Sequence, residues 1–354
     1  MLRSFLPLKR PIVFDAFART LPDRVVVFGT GERGRRCKQR LERLQIKVTA
    51  FADNNPERQG TVLDGAPVIA AEDIATSAPE ASVIICSYAT EVIFRQLRAL
   101  GHEVVYTDFN MLCSERQTLE DNADKVREVA ALLGDEESRT QYKEALALRF
   151  LGQPIETPAA YRVYHHPRVR PRRGDCIVDG GAATGDTLET FWNDCGGDCS
   201  LHLFEPTPES FDQMCRSIRT RGFSGAVPVN RALWCESAEL HFCEDVTTSH
   251  ANHLAADGEI VVRATSLDQY VRENGVERVD LIKLDIEGAE LEALRGARET
   301  LRRDKPRLQI CLYHRDNHLW DVPLLIHEIV PEYTMYLGHH TRTLLDTLLY
   351  CEAA

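Results

Sequence analysis

Three stretches of the sequence hold residue types that could carry out chemistry. The first is L-I-K-L-D-I-E-G-A-E, residues 281–290. Lys283 and Asp285 alternate with Leu284, so on a strand they share one face. A charge within an otherwise apolar strand is costly unless it is paired or put to use. Asp285 stands at the carboxyl end of this run, where open α/β sheets place their ligands. The two residues read either as an ion pair that braces the strand end or as catalytic groups. Glu287 and Glu290 begin the following helix, whose positive end favours both, and Glu290 reads as the more structural of the two. The second stretch is Tyr313-His314-Arg315, just past the next apolar run. His314 titrates near neutral pH and suits proton transfer. An alcohol could lose its proton to neutral His314 while Asp285 orients it, or to Asp285 while His314 donates. Replacing either residue is then expected to lower turnover by roughly 10²–10⁴-fold.

The third stretch, C-I-V-D-G-G-A-A-T-G at 176–185, reads as a buried strand, a tight glycine turn and a helix start. Asp179, Gly180, Gly181 and Gly185 would bring bare backbone to a ligand at a helix N-terminus. About 20 residues past Gly185, a second strand ends in Glu205, placed to accept both hydroxyls of a ribose. A similar pattern occurs earlier. In R-V-V-V-F-G-T-G-E-R-G, Gly29, Gly31 and Gly34 follow a four-residue apolar run and precede a helical one, with Asp53 about 20 residues on. That is the context of a nucleotide-binding turn, and a turn kept for packing alone is the plainer alternative.

These stretches divide the chain into 1–112, a small Rossmann-like unit too short for two nucleotide-binding halves; 113–173, a helical connector and entry loop; and 174–354. In the connector, 119–133 and 136–150 carry helical periodicity around Gly134-Asp135. From residue 174, strands at 176–179, 201–205, 226–230, 279–285, 307–313, 332–337 and 344–350 alternate with helices near 185–193, 207–221, 266–274, 287–303 and 320–330. The insert 238–265 reads as a hairpin. Alternation implies a parallel sheet, and two closing strands without a helix between them imply a terminal antiparallel strand. The arrangement resembles that of the class I methyltransferases, a likeness that implies an α/β fold binding S-adenosylmethionine.

The blocks D-G-G-A-A-T-G-D-T, F-E-P, T-S-L-D and L-I-K-L-D-I-E-G-A-E-L-E-A-L-R-G-A resemble, in order and spacing, the FkbM family of methyltransferases over roughly half the chain. That resemblance implies methyl transfer from S-adenosylmethionine to a hydroxyl of a sugar, glycan or small natural product. It assigns Asp179, Gly180, Gly181 and Gly185 to the methionine part of the cofactor, with Asp179 beside its ammonium. It assigns Glu205 to the ribose and Asn230 to the adenine. Asp285 joins both the cofactor and the catalytic set, the latter with His314 and Lys283. The N-terminal stretches G-T-G-E-R-G, A-D-N-N and G-A-P-V-I resemble the nucleotide-sugar-binding domain of some bacterial sugar-modifying enzymes. The rival readings are a nucleotide-sugar oxidoreductase or epimerase using that domain, and a non-catalytic module that binds glycan precursors.

Composition narrows the partners. The formal charge is -12, from 42 Lys and Arg against 54 Asp and Glu, which disfavours general nucleic-acid binding. The 11 cysteines show no zinc spacing, and no metal triad is evident. The first residues hold too short an apolar run for a signal peptide, no run approaches a membrane span, and the chain reads as cytoplasmic.

Overall fold

The computed structural model describes residues 24–43, 45–87, 89–102, 105–107, 114, 116–153, 155–243, 253–254 and 260–353. The N-terminal run weighed as a signal peptide and the unit boundary near Asn110 lie outside these residues. Two compact units share them: residues up to 123 with 140–158 and 341–345, and residues 124–139 and 159–340 with those from 346 on. The segment 113–173 is thus divided between the two; its helices are Arg116–Asp121, Ala123–Leu132 and Glu136–Leu151.

The first unit is built on β1 (Arg24–Phe28), whose Val25, Val26, Val27 and Phe28 are all buried. A strand covered on both faces needs such an unbroken apolar run. It pairs in parallel with β2 (Lys47–Ala52) and, on its other side, with the later strand Ser82–Ile85. With β3 (Val62–Leu63), β4 (Ala66–Ile69), β5 (Ser82–Ile85) and β6 (Val105–Thr107), the sheet order is β3-β4-β2-β1-β5-β6. The helix Glu32–Arg43 follows β1 directly. It packs so closely that a Cβ on Gly34 would overlap the carbonyl oxygen of Gly29.

The main sheet of the second unit has seven strands among the described residues: β7 (Cys176–Gly180), β8 (Ser200–Phe204), β9 (Ala226–Val229) and, after a separate small sheet, four more. The small sheet comprises β10 (Ala232–Leu233), β11 (Ala238–Cys243), β12 (His253–Leu254) and β13 (Ile260–Thr265). The four remaining strands are β14 (Leu281–Leu284), β15 (Arg307–Cys311), β16 (Tyr333–His339) and β17 (Thr347–Ala353). The main sheet runs β16-β17-β15-β14-β7-β8-β9. Its single antiparallel member is β17, which enters between β15 and β16. The hairpin expected at 238–265 is present as the antiparallel pair β11 and β13.

Two helices differ from the sequence reading. The run 287–303 forms two helices, Glu290–Arg295 and Arg298–Asp304. Gly296, between them, lies so close to the Trp234 carbonyl that a side chain would overlap it, and its own carbonyl accepts from Asp268 N at 2.9 Å. The helix expected from 185 starts at Leu188, because Gly185 has a φ of 94° and belongs to the turn. Among the described residues no helix is long and apolar enough to cross a membrane.

Candidate active site

The strand register fixes the floor of the site. β14 lies beside β7 with Lys283 opposite Asp179 and Leu284 opposite Gly180. Both charged side chains point into the sheet's covered face, and they answer each other. Lys283 Nζ lies 2.9 Å from Asp179 Oδ1 and donates to the carbonyls of Gly181 (2.8 Å) and Gly180 (3.2 Å). Three donors on an ammonium are thereby used. The Tyr164 ring lies 5.6 Å from the same nitrogen, within cation–π range. Asp179 also accepts a hydrogen bond from the Thr187 hydroxyl and is wholly buried.

Two sequence assignments change as a result. Lys283 has no donor left for a reacting group, so it is a brace under the glycine turn and not a catalytic group. Asp179 is sealed beneath that turn, so it supports the loop from below and does not meet a ligand's ammonium. Gly181 has a φ of 74°, and a Cβ there would overlap the Asp285 carbonyl oxygen. A larger residue at 181 therefore disturbs the strand end itself, beyond any effect on ligand access.

Glu205 stands at the tip of β8, as the sequence predicted. Its Oε2 accepts from Ala183 N at 3.0 Å, and Oε1 accepts from Thr207 N at 2.8 Å. The carboxylate is thus aimed at the glycine turn and keeps lone pairs free. Asn230 lies nearby, but its Nδ2 donates to the carbonyls of Glu205 (3.0 Å) and Pro206 (3.1 Å). Those bonds use its Nδ2 to brace the Glu205 loop, and the residue itself stays exposed beside that carboxylate.

Beyond the carboxyl ends of β14 and β15 the titratable groups converge. Asp285 Oδ2 accepts from the Tyr164 hydroxyl at 2.9 Å, and Oδ1 accepts from the Tyr313 hydroxyl at 2.7 Å. Burial pushes the Asp285 carboxyl up, but Lys283, His314 and the two phenols outweigh it and hold the group below the usual carboxylate range. His314 Nδ1 lies 2.8 Å from Glu290 Oε1, while Nε2 lies 3.4 Å from Asp285 Oδ1 and 3.5 Å from Glu287 Oε2. Carboxylates on both ring nitrogens suit only the doubly protonated ring. Burial lowers the His314 pKa, but Glu290, Asp285 and Glu287 carry it up to about 9. The neutral His314 expected from sequence is therefore replaced by an imidazolium at pH 7, a donor that has no room for another proton.

Glu290 is wholly buried and accepts from Ile286 N at 3.0 Å, with His318 Nδ1 3.2 Å from its other oxygen. Burial raises its pKa, but the two histidines overcome that and hold it ionised. Asp346, just before β17, is pushed up to about 6 by burial and by the charge of Asp285, against the pull of His314.

The backbone around this cluster is strained. Tyr164, Glu287 and Asp346 have φ values of 63°, 54° and 58°, and Ala183 in the glycine turn has 47°. Left-handed conformations at non-glycine residues cost about 1–3 kcal/mol each and gather where a site needs them. The Tyr164 conformation is held from behind: its N donates to the Tyr350 hydroxyl at 3.3 Å, and Gln309 donates to its carbonyl at 2.8 Å. His340 Nε2 lies 2.8 Å from that same hydroxyl, and His166 stacks on Tyr336 and Tyr350. His166 and His340 thus act as internal struts behind Tyr164, and His339 bonds Thr347 at 2.7 Å.

Residues 179–350 match the model of the methyltransferase FkbM domain, and the match encloses the glycine turn, Glu205, Asp285 and His314. This part of the chain is an FkbM methyltransferase domain. The crystal structure of methyltransferase FkbM from Methylobacillus flagellatus superposes with a TM-score of 0.68 at 22% identity, over 96% of this chain and 92% of that one. The fold of the FkbM domain is that of the class I methyltransferases. A curated relative, hexuronic acid methyltransferase AglP of Haloferax volcanii, is 25% identical over 118 residues, which is 33% of this chain and 49% of that protein. The chain thus spans about half the length of this relative. Residues 21–104 match a separate model, the C2185-like N-terminal domain.

In that N-terminal part, Asp53 reaches back to the glycine turn. It accepts from Thr30 N at 3.1 Å, from the Thr30 hydroxyl and from Asn55 N at 2.9 Å. Burial raises its pKa, but these bonds and Arg58 bring it below the usual value. Gly31 faces open space, with no atom within 4 Å of where a Cβ would stand. In the second unit, the sequence did not join Tyr164, Tyr313 and Asp346 to Asp285. Only Tyr313 carried a signal, its place beside His314.

Proposed function

We propose that the chain transfers a methyl group from S-adenosylmethionine to a hydroxyl oxygen of a sugar, glycan or small natural product. The observation that carries this reading is Asp285, held ionised by Tyr164, Tyr313 and His314 at the carboxyl end of β14, beside the glycine turn faced by Glu205. The residues fit the cofactor. The small residues of the turn 180–185 leave room beside it for the methionine part, and Glu205, whose two oxygens each accept one backbone N–H, keeps acceptor lone pairs for the ribose. Bound there, the cofactor supplies an electrophilic methyl. The protein must hold a hydroxyl in line with it and take up one proton, and positioning accounts for much of the rate. The sugar class draws support from AglP, which is named for hexuronic acid.

A screen of S-adenosylhomocysteine release over nucleotide sugars, glycan extracts and simple polyols tests the reaction. Glu205→Gln keeps the side-chain shape and removes the charge. It is expected to weaken S-adenosylmethionine binding by at least 10-fold in calorimetry, since a charged hydrogen bond is worth about 1.5–3 kcal/mol. Affinity equal to wild type would remove Glu205 from the ribose site.

We further propose that the N-terminal turn Gly29-Thr30-Gly31 with Gly34 and Asp53 binds a nucleotide sugar through its phosphates. The parallel strand–turn–helix unit and the open space at Gly31 support this. Gly31→Val fills that space without touching the packing, so it is expected to abolish UDP-glucose binding and leave the melting temperature unchanged. Tight binding of NAD with no response to UDP-glucose would favour the oxidoreductase reading.

A further inference from the structure

We infer that Glu287 is the base that receives the acceptor's proton, with His314 as the donor that holds the acceptor oxygen; this rests on the methyl-transfer reading above. In that reaction the acceptor oxygen bonds to the methyl carbon. The sulfur–carbon bond breaks with its electron pair left on sulfur, giving a neutral thioether. The hydroxyl proton then needs a base, because the alcohol is too weak an acid to shed it beforehand.

The cluster offers few places for that proton. His314 is already an imidazolium. Glu290 is wholly buried and engaged by Ile286 N, His314 and His318. Asp285 has a phenol on each oxygen and a lowered proton affinity. Glu287 differs on each count. Its side chain is 37% exposed, its Oε2 lies 3.5 Å from His314 Nε2, and among the described residues no hydrogen bond to its carboxylate is made. Its backbone is held in the left-handed region at the end of β14. Gly288, with a φ of 94°, shares the turn, and its carbonyl accepts from Arg315 Nε at 3.0 Å. This turn sets Glu287 two residues past Asp285, beyond the carboxyl end of β14.

His314 Nε2 is a buried nitrogen with no hydrogen-bond partner, standing between Asp285 Oδ1 at 3.4 Å and Glu287 Oε2 at 3.5 Å. An oxygen in that gap can accept from the ring N–H and donate to Glu287.

The charged groups around Glu287 set its affinity for the proton. From its own segment come Asp285 and Glu290, from β14 Lys283 with its partner Asp179, and from beyond β15 His314 and the exposed Arg315; Asp346, just before β17, acts on the same Asp285 and His314. Burial raises the Glu287 pKa, His314 pulls it down, and Asp285 and Glu290 push it up, for a value of about 7. A base is most effective with its pKa near the working pH.

The test uses the full chain and needs no acceptor for its first arm. Binding of S-adenosylmethionine and of S-adenosylhomocysteine is measured by calorimetry at pH 7 in two buffers of different ionisation heat. A sulfonium next to Glu287 lowers the carboxyl's pKa, so S-adenosylmethionine should displace up to about half a proton and the neutral thioether none. Glu287→Gln should abolish the release and keep the affinity for S-adenosylhomocysteine. On an acceptor found by the screen, the same variant should lose roughly 10²–10⁴-fold in turnover, with part regained in Glu287→Asp. Equal heats in both buffers, or full turnover in Glu287→Gln, overturn the assignment. Release that survives Glu287→Gln and vanishes in Asp346→Asn gives the role to Asp346 and overturns it equally. Failure of the wild type to bind either compound overturns the methyl-transfer reading itself.

Discussion

Replacing Lys283 with Met should destabilise the FkbM domain by about 3–5 kcal/mol, the usual cost of leaving one partner of a buried ion pair alone. Lys283 is 2% exposed and Asp179 not at all, so solvent does not screen the pair. Without the ammonium, Asp179 keeps one hydrogen bond, from Thr187, and the Gly181 carbonyl loses its donor. The Gly180 carbonyl still has Asp285 N at 3.1 Å. Asp179→Leu combined with Lys283→Met should recover part of the loss, since apolar replacement of a buried pair is often neutral or better. It should not recover all of it, because Gly181 stays unsatisfied. Urea denaturation followed by tryptophan fluorescence measures this, as Trp192, Trp234 and Trp320 all lie in this domain. A single-variant loss under about 1 kcal/mol would show that the pair is not a brace, and Lys283 would again be a candidate for chemistry.

The glycine turn and Glu205 were legible in the sequence because their signals are local: an apolar run, small residues and an acid at fixed spacing. The order of strands was legible because strand and helix alternate. The partner of Lys283 was not. Alternation shows that Lys283 and Asp285 share a face, but the register of β14 against β7 decides that Asp179, over 100 positions earlier, answers Lys283. The charge of His314 was hidden for the same reason. Its ordinary pKa points to a neutral base, and only the approach of Glu290 from a helix 24 positions away converts it to a cation. Tyr164 carries no sequence signal, because its left-handed backbone is imposed by Tyr350 and Gln309 from distant strands.

Replacement of His314 by Ala or of Asp285 by Asn should each lower turnover by roughly 10²–10³-fold, the scale of losing one preorganised hydrogen bond at a reacting centre. S-adenosylhomocysteine affinity should be largely kept, since neither residue belongs to the turn 180–185 or to Glu205. The pH dependence separates the readings. A neutral histidine base would make the rate fall as pH drops through about 6.5. An imidazolium donor with a pKa of about 9 makes it fall as pH rises through about 9. Stability follows the same sign: a raised histidine pKa contributes stability that is complete below about pH 6.5 and lost as pH climbs through about 9. The His314 ring proton should therefore titrate in NMR with a midpoint near 9, and Glu290→Gln should move that midpoint down by removing the nearest carboxylate. Asp285→Asn should move it less, because Asp285 lies at 3.4 Å from the ring and Glu290 at 2.8 Å. A midpoint near 6.5 in the wild type, with a rate that falls below it, would return the proton to His314 and leave Asp285 to orient the acceptor.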